Sequence, residues 1–335
     1  MTKKAKRNLL FGVYAANLTS CIPEAKDIFA CPFCHNGFDR TALDDPPQVI
    51  LAHCIPDSLD GMLFTLACEA CDTESGRSFD KHLKTRLEND DFWAGHSPNS
   101  RRGWIFIDGL QIRCDLEIKR QDDGTLTHSV FADENRGPPA DFEALKFGLE
   151  NGIINPGASV PEIALDHRSI EFDWRGAQIA ILRCAYLMMF RFMGYGYILH
   201  PNVQGVRQQI LHPDQWILPC LPIIKVTDGT DHHGIGIITK PDNIRGFSVL
   251  MPFVTDGKRQ HRMAVLMPGL DKDGDSVFEK IYQAQQAQKR VDFAFTMLPS
   301  CTHSLGRADS AKIPSYLWKK YGPQQAGSER RASGE

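Results

Sequence analysis

Four cysteines fall into two pairs of identical spacing, Cys31-Pro-Phe-Cys34 and Cys68-Glu-Ala-Cys71, with 33 residues between the pairs. Two residues between thiolates let both sulfurs face one ion, and Zn2+ accepts four sulfurs in a tetrahedron. The spacing predicts a structural zinc site made of Cys31, Cys34, Cys68 and Cys71. Two unrelated pairs or a redox dithiol account for it less well. The other six cysteines (Cys21, Cys54, Cys114, Cys184, Cys220, Cys301) are scattered, which is too dilute for a disulfide scaffold. The gap exceeds the roughly 15–20 residues of a simple zinc ribbon, so further structure must be built between the knuckles.

The elements between them are readable. Gln48–His53 is β-rich, Asp60-Gly61 is a turn signal, and Met62–Ala67 is a second strand running into Cys68. From Asp72 to Leu87 a helix is expected, with Phe79, Leu83 and Leu87 at i, i+4 and i+8. His53 therefore ends the first strand and Asp72 opens the helix. Phosphodiester hydrolysis needs an activated water and charge stabilisation. A neutral histidine takes the water proton near pH 7, and one divalent cation supplies a Lewis acid. Each residue also has a plainer role. A strand-end histidine is satisfied by a backbone partner, and Asp is a favoured helix N-cap.

In order and approximate spacing, His53, Ile55-Pro56, Asp60-Gly61, Leu66-Ala67-Cys68, Cys71-Asp72, Ser75-Gly76 and Asp80 resemble the HNH endonuclease family in its four-cysteine zinc form. The resemblance covers about residues 28–90. It implies a ββα-metal domain, with His53 as general base and a helix bearing the ligand of a catalytic cation. Asp72 stands where family members carry Asn; as a hard oxygen donor it suits Mg2+ or Mn2+, with Asp80 or His82 as helpers. Ala52 stands where many members carry an acidic ligand. Arg77, Lys81 and Lys84 lie at i, i+4 and i+7 of the helix, where they would face phosphates or simply solvent. Lys3, Lys4, Lys6 and Arg7 read as a basic tail.

The chain has 335 residues, enough for about two domains, and 42% hydrophobic residues, enough for a packed core. The expected fold is α+β. An HNH-type domain at 1–97 precedes a mixed α/β domain at 98–321 and a disordered tail at 322–335. In the second domain, Gly103–Phe131 reads as an antiparallel meander turning at Asp123-Gly124. Asp141–Glu150 and Asp275–Ala287 read as helices. Asp173–Leu199 reads as its central buried helix, with strands at Gly234–Thr239, Gly246–Val254, Arg262–Met267 and Val291–Leu298. Arg183 and Arg191 interrupt the most apolar run, so no membrane span is expected, and a cytoplasmic location follows. Asp271-Lys-Asp273-Gly-Asp275 reads as a turn rather than a calcium loop, Asp231-His232-His233 as an exposed loop, and Met188-Met189 as core.

Net charge is −3, and the first hundred residues carry ten basic against 14 acidic groups, so nucleic acid has no global attraction. The sequence thus predicts a metal-dependent endonuclease acting on DNA, with structural Zn2+ and catalytic Mg2+ or Mn2+. The resemblance adds a bacterial defence or mobile-element setting. The alternative is a catalytically degenerate zinc module that binds nucleic acid or a protein partner. The acidity suggests that cutting requires a protein partner or a homo-oligomer.

Overall fold

A computed structural model of the chain describes residues 1–75, 79–132, 139–153, 162–166, 171–226, 233–272, 274–299 and 305–322. It is an α+β protein with nine α-helices and several antiparallel sheets among those residues. The chain divides into two compact units interleaved in sequence. Unit 1 takes residues 1–80, 178–253 and 261–335; unit 2 takes 81–177 and 254–260.

Helix α1 (Lys3–Cys21) opens unit 1, capped by Thr2, whose hydroxyl accepts the Ala5 N–H. Leu10, Phe11, Tyr14, Ala15 and Leu18 form its buried face. The sequence reading expects a short apolar segment behind a basic tail, yet Lys3, Lys4, Lys6 and Arg7 are the helix's first turns. Cations there oppose the helix dipole, and apart from the Thr2 cap no acidic residue marks the first turn. Burial of one face outweighs that local cost.

Strands β1 (Phe29–Ala30) and β2 (Gly37–Phe38) pair around the first knuckle. Strands β3 (Val49–His53) and β4 (Phe64–Cys68) form an antiparallel hairpin in register from Val49↔Cys68 to His53↔Phe64. Gly61 closes the loop between them: a Cβ there would lie 1.8 Å from the Ile55 carbonyl oxygen, so no side chain fits. Helix α2 (Glu69–Ser75) follows directly, and α3 (Lys81–Trp93) begins unit 2. Of the helix expected over Asp72–Leu87, both ends are helical, in α2 and α3; residues 76–78 lie outside the described residues.

Unit 2 continues with β5 (Arg101–Ile107), β6 (Leu110–Arg120), β7 (Leu126–Ala132), α4 (Pro139–Glu150) and β8 (Glu162–Leu165). Its sheet has the order β7-β6-β5-β8 and contains the expected meander. Phe92, Leu116 and Ile118 form one core cluster, and Ile107 with Ile112 a second.

Helix α5 (Trp174–Met193) is hydrophobic on nearly all sides, and positions Ile179 to Phe190 are buried without a break. By length and hydropathy it passes the test for a membrane-crossing helix, contrary to the sequence expectation. However, 83% of its apolar window is covered by the protein's own side chains, as in a core helix. From Gln178 onward it belongs to unit 1, not to a separate second domain. Short helices α6 (Tyr195–Ile198) and α7 (Gln204–Leu211) follow. Gly194 joins α5 to α6 at φ +66°, where a Cβ would lie 2.2 Å from the Asn17 side-chain oxygen. That oxygen accepts the Tyr195 N–H at 2.7 Å, and the Asn17 amide donates to Ser310 Oγ at 2.9 Å. Tyr14 stacks on Phe190 with centroids 4.4 Å apart, which locks α1 onto α5.

Unit 1 closes with β9 (Ile223–Lys225), β10 (Gly234–Lys240), β11 (Gly246–Val254), β12 (Gln260–Pro268), α8 (Val277–Gln286), β13 (Ala294–Met297) and α9 (Ile313–Tyr321). The five strands run in the order β13-β10-β11-β12-β9. Met188 and Met189 are core, as expected, and Gly274–Ser276 is a short turn ahead of α8. Asp231, His232 and residues 323–335 of the expected tail lie outside the described residues.

Candidate metal centre

The hairpin β1–β2 bends the first knuckle into a tight turn. Cys31 N–H donates to the Asn36 carbonyl and His35 N–H to the Cys31 carbonyl, both at 2.9 Å, with His35 in the left-handed region at φ 61°. The second knuckle spans the step from β4 into α2. It is tied to the first by the Cys68 N–H, which donates to Cys31 Sγ at 3.4 Å. All four sulfurs lie within 4.8 Å of one another, and Cys34 Sγ is 3.8 Å from Cys68 Sγ. Zn–S bonds of about 2.3 Å require tetrahedral edges of about 3.8 Å, so the donor set fits zinc. Left without a cation, the thiols would share protons. Hydrogen bonding to Cys31 holds Cys34 down to about 6 and Cys68 down to about 2, whereas Cys31, as the donor, is raised. Cys71 is likewise pushed up to about 12, so the protons divide between two raised and two lowered thiols, and a cation that binds all four sulfurs would displace them.

Groups more than a hundred residues away hold the first knuckle. Tyr186 of α5 donates to the Pro32 carbonyl at 2.7 Å, and Arg207 of α7 donates to the Phe33 carbonyl at 2.7 Å. Tyr195 hydrogen-bonds to both the N–H and the carbonyl of Ala30. Sequence reasoning missed all three, because their partners are backbone carbonyls and leave no motif.

Asp72 sits in α2 beside Cys71. Its Oδ1 accepts from Arg183 Nη2 at 2.5 Å, and Arg183 Nη1 lies 3.9 Å from Asp80 Oδ1. The Arg183 side chain is only 3% exposed. Burial pushes the Asp72 carboxyl up despite the guanidinium, and pushes Asp80 up to about 6. Asp80 Oδ1 is buried with no hydrogen-bond partner. Arg183 reads in sequence only as a break in an apolar run; a charge at such a position needs a partner, and that was the available signal.

His53 projects from the end of β3. Its ring packs on Phe64 at 4.3 Å, its Nε2 lies 3.6 Å from Asp57 Oδ1, and 31% of its side chain is exposed. Burial lowers its pKa; Asp57 and Asp72 oppose the shift, while Lys3 and Lys6 reinforce it. Lys6 Nζ lies 4.2 Å from the Phe64 ring centroid, so the cationic first turns of α1 border this histidine.

Thus the fold brings together Cys31, Cys34, Cys68 and Cys71, sets Asp72 and Asp80 on the Arg183 guanidinium, and places His53 beside Asp57. Other expected site residues are engaged elsewhere. His82 belongs to unit 2, where its Nδ1 accepts the Asp173 N–H at 3.0 Å. Lys84 pairs there with Asp256 at 3.1 Å and Glu88 at 3.5 Å. Lys81 is exposed, and Arg77 lies outside the described residues. Among the described residues no second group of three or more metal-ligating side chains gathers. A catalytic Mg2+ or Mn2+ therefore has no gathered ligand set among the described residues; Asp72 and Asp80 share the Arg183 guanidinium instead.

Comparisons with family models, with curated proteins and with solved structures return no match. The α+β fold and the zinc-competent cysteine cluster rest on this chain's own residues.

Proposed function

We propose that the zinc module is a nuclease site of the HNH, ββα-metal type that hydrolyses DNA phosphodiester bonds. The observation that carries the reading is the placement of His53 and Asp72 about the cysteine cluster. One stands at the end of β3 and the other in the helix after β4. The cluster joins β4, which pairs with β3, to that helix. Burial keeps His53 neutral near pH 7, as a general base must be. Its imidazole takes the proton of the water that attacks phosphorus. Asp72 and Asp80 would hold Mg2+ or Mn2+, which when bound supplies Lewis-acid stabilisation of the phosphoryl oxygens. Lys3 and Lys6, at the cost of opposing the α1 dipole, add positive charge where the phosphate approaches.

A second reading, a zinc module that binds without cutting, draws support from the Asp72–Arg183 pair, which engages the carboxylate the cation needs. Plasmid nicking separates the two. Purified protein with one zinc is incubated with and without Mg2+ or Mn2+, beside His53→Ala. The nuclease reading expects cation-dependent nicking, reduced about 10²–10⁴-fold in His53→Ala at unchanged zinc content. Zinc-loaded protein that does not nick, or a His53→Ala variant that nicks equally well, would refute it.

A further inference from the structure

The C-terminal part of unit 1 carries a groove of about 700 Å³ along α9, within the size range of ligand clefts. Arg307, Lys312, Lys319 and Lys320 line it against a single carboxylate, Asp309. All four cations are exposed, in a chain whose net charge is −3. Among them Tyr316 stands 58% exposed, and Lys320 Nζ lies 5.6 Å from its ring and 5.1 Å from that of Tyr321. Four cations beside an open aromatic ring is the pairing that single-stranded nucleic acid uses, phosphates on the ammonium groups and a base on the ring. Bases within a duplex present edges to a protein, so only an unpaired base can lay its face on Tyr316.

We propose that this groove binds a single-stranded stretch of nucleic acid without sequence preference. Its backbone runs along Arg307, Lys312, Lys319 and Lys320, and one base stacks on Tyr316. The inference names where the substrate strand is held and rests on the nuclease reading only for that strand being DNA substrate. An acidic peptide would satisfy the lysines but would leave the exposed ring without a flat partner.

The test uses the full zinc-loaded chain carrying His53→Ala, in buffer without Mg2+ or Mn2+. Anisotropy is read with a labelled oligo-dT strand, its duplex with oligo-dA, and labelled polyglutamate. Binding to the single strand is expected to be tightest. Lys319→Glu with Lys320→Glu should weaken it at least tenfold. Neutral Lys319→Gln with Lys320→Gln should lower the slope of log affinity against log salt by about 1.4. Tyr316→Ala should weaken it about tenfold and Tyr316→Phe hardly at all. Melting curves confirm that each variant folds. Unchanged oligonucleotide affinity in the charge variants, equally tight polyglutamate, or a silent Tyr316→Ala would overturn the proposal. A chain that binds through the groove but never nicks plasmid loses the nuclease reading and keeps this one; a chain that nicks with an indifferent groove does the reverse.

Discussion

Cys71 and Asp72 are neighbours in one short helix, yet they serve two sites built on opposite plans. The cysteine cluster has its full set of donors. Four sulfurs are gathered, the knuckle carbonyls are tied down by Tyr186 and Arg207, and a single ion completes it. The carboxylate pair is incomplete. Two half-buried acids share one guanidinium, and Asp80 keeps an oxygen without a hydrogen bond. The protein itself supplies every donor of the first site, whereas the second leaves a buried oxygen unsatisfied, which is the kind of exception a polar group pays for elsewhere.

The largest expected effect breaks the finished side. Cys68→Ser removes one ligand from a zinc site whose binding is itself folding free energy, on the order of 10 kcal/mol for such sites. Stoichiometric zinc should be lost and the cooperative melt of unit 1 abolished. A Cys68→Ser protein that melts like the wild type would mean that the cluster is not structural.

The middle effect tests the unfinished side. Arg183→Met leaves the half-buried Asp72 and Asp80 without a counter-charge, which costs about 3 kcal/mol, at the low end for a broken buried pair because solvent still reaches both carboxylates. Adding Asp72→Asn should recover a large part of that loss in denaturant unfolding. A loss under about 1 kcal/mol, with no recovery, would show that the ion pair does not hold these elements.

The smallest effect has a pH signature. Asp80 is raised from 3.8 to about 6, so the folded state holds its proton more tightly than the unfolded state. The associated stability is fully present below pH 4 and is lost as pH rises through 6. Asp80→Asn should therefore be more stable than the wild type at pH 7.5, by about 2–3 kcal/mol, and no more stable at pH 4. A gap that is the same at both pH values would place the carboxylate in an ordinary solvated setting.

What the sequence reveals follows from how local each feature is. The knuckles, the two strands, His53 and Asp72 lie within 42 residues, and fixed spacings carry them. The meander in unit 2 is equally legible, since alternation and an Asp-Gly turn are short-range signals. Arg183, Tyr186, Tyr195 and Arg207 are not legible, because each meets the N-terminal region across more than a hundred residues. Helix α1 is hidden for a different reason. Its cations sit at the wrong end for the helix dipole, and only burial against Phe190 and Thr65 explains it.

The interleaving of unit 1 also sets an order of events during synthesis. Cys71 leaves the ribosome more than a hundred residues before Tyr186 and Arg207. At about 5–20 residues per second, the nascent cysteines wait roughly 6 to 27 seconds for the groups that will brace them. In that interval the knuckles have only the β3–β4 hairpin, the Cys68 N–H bond to Cys31 Sγ and an ion on the four sulfurs to keep them together. An ion bound that early would stand in for the braces still to be made.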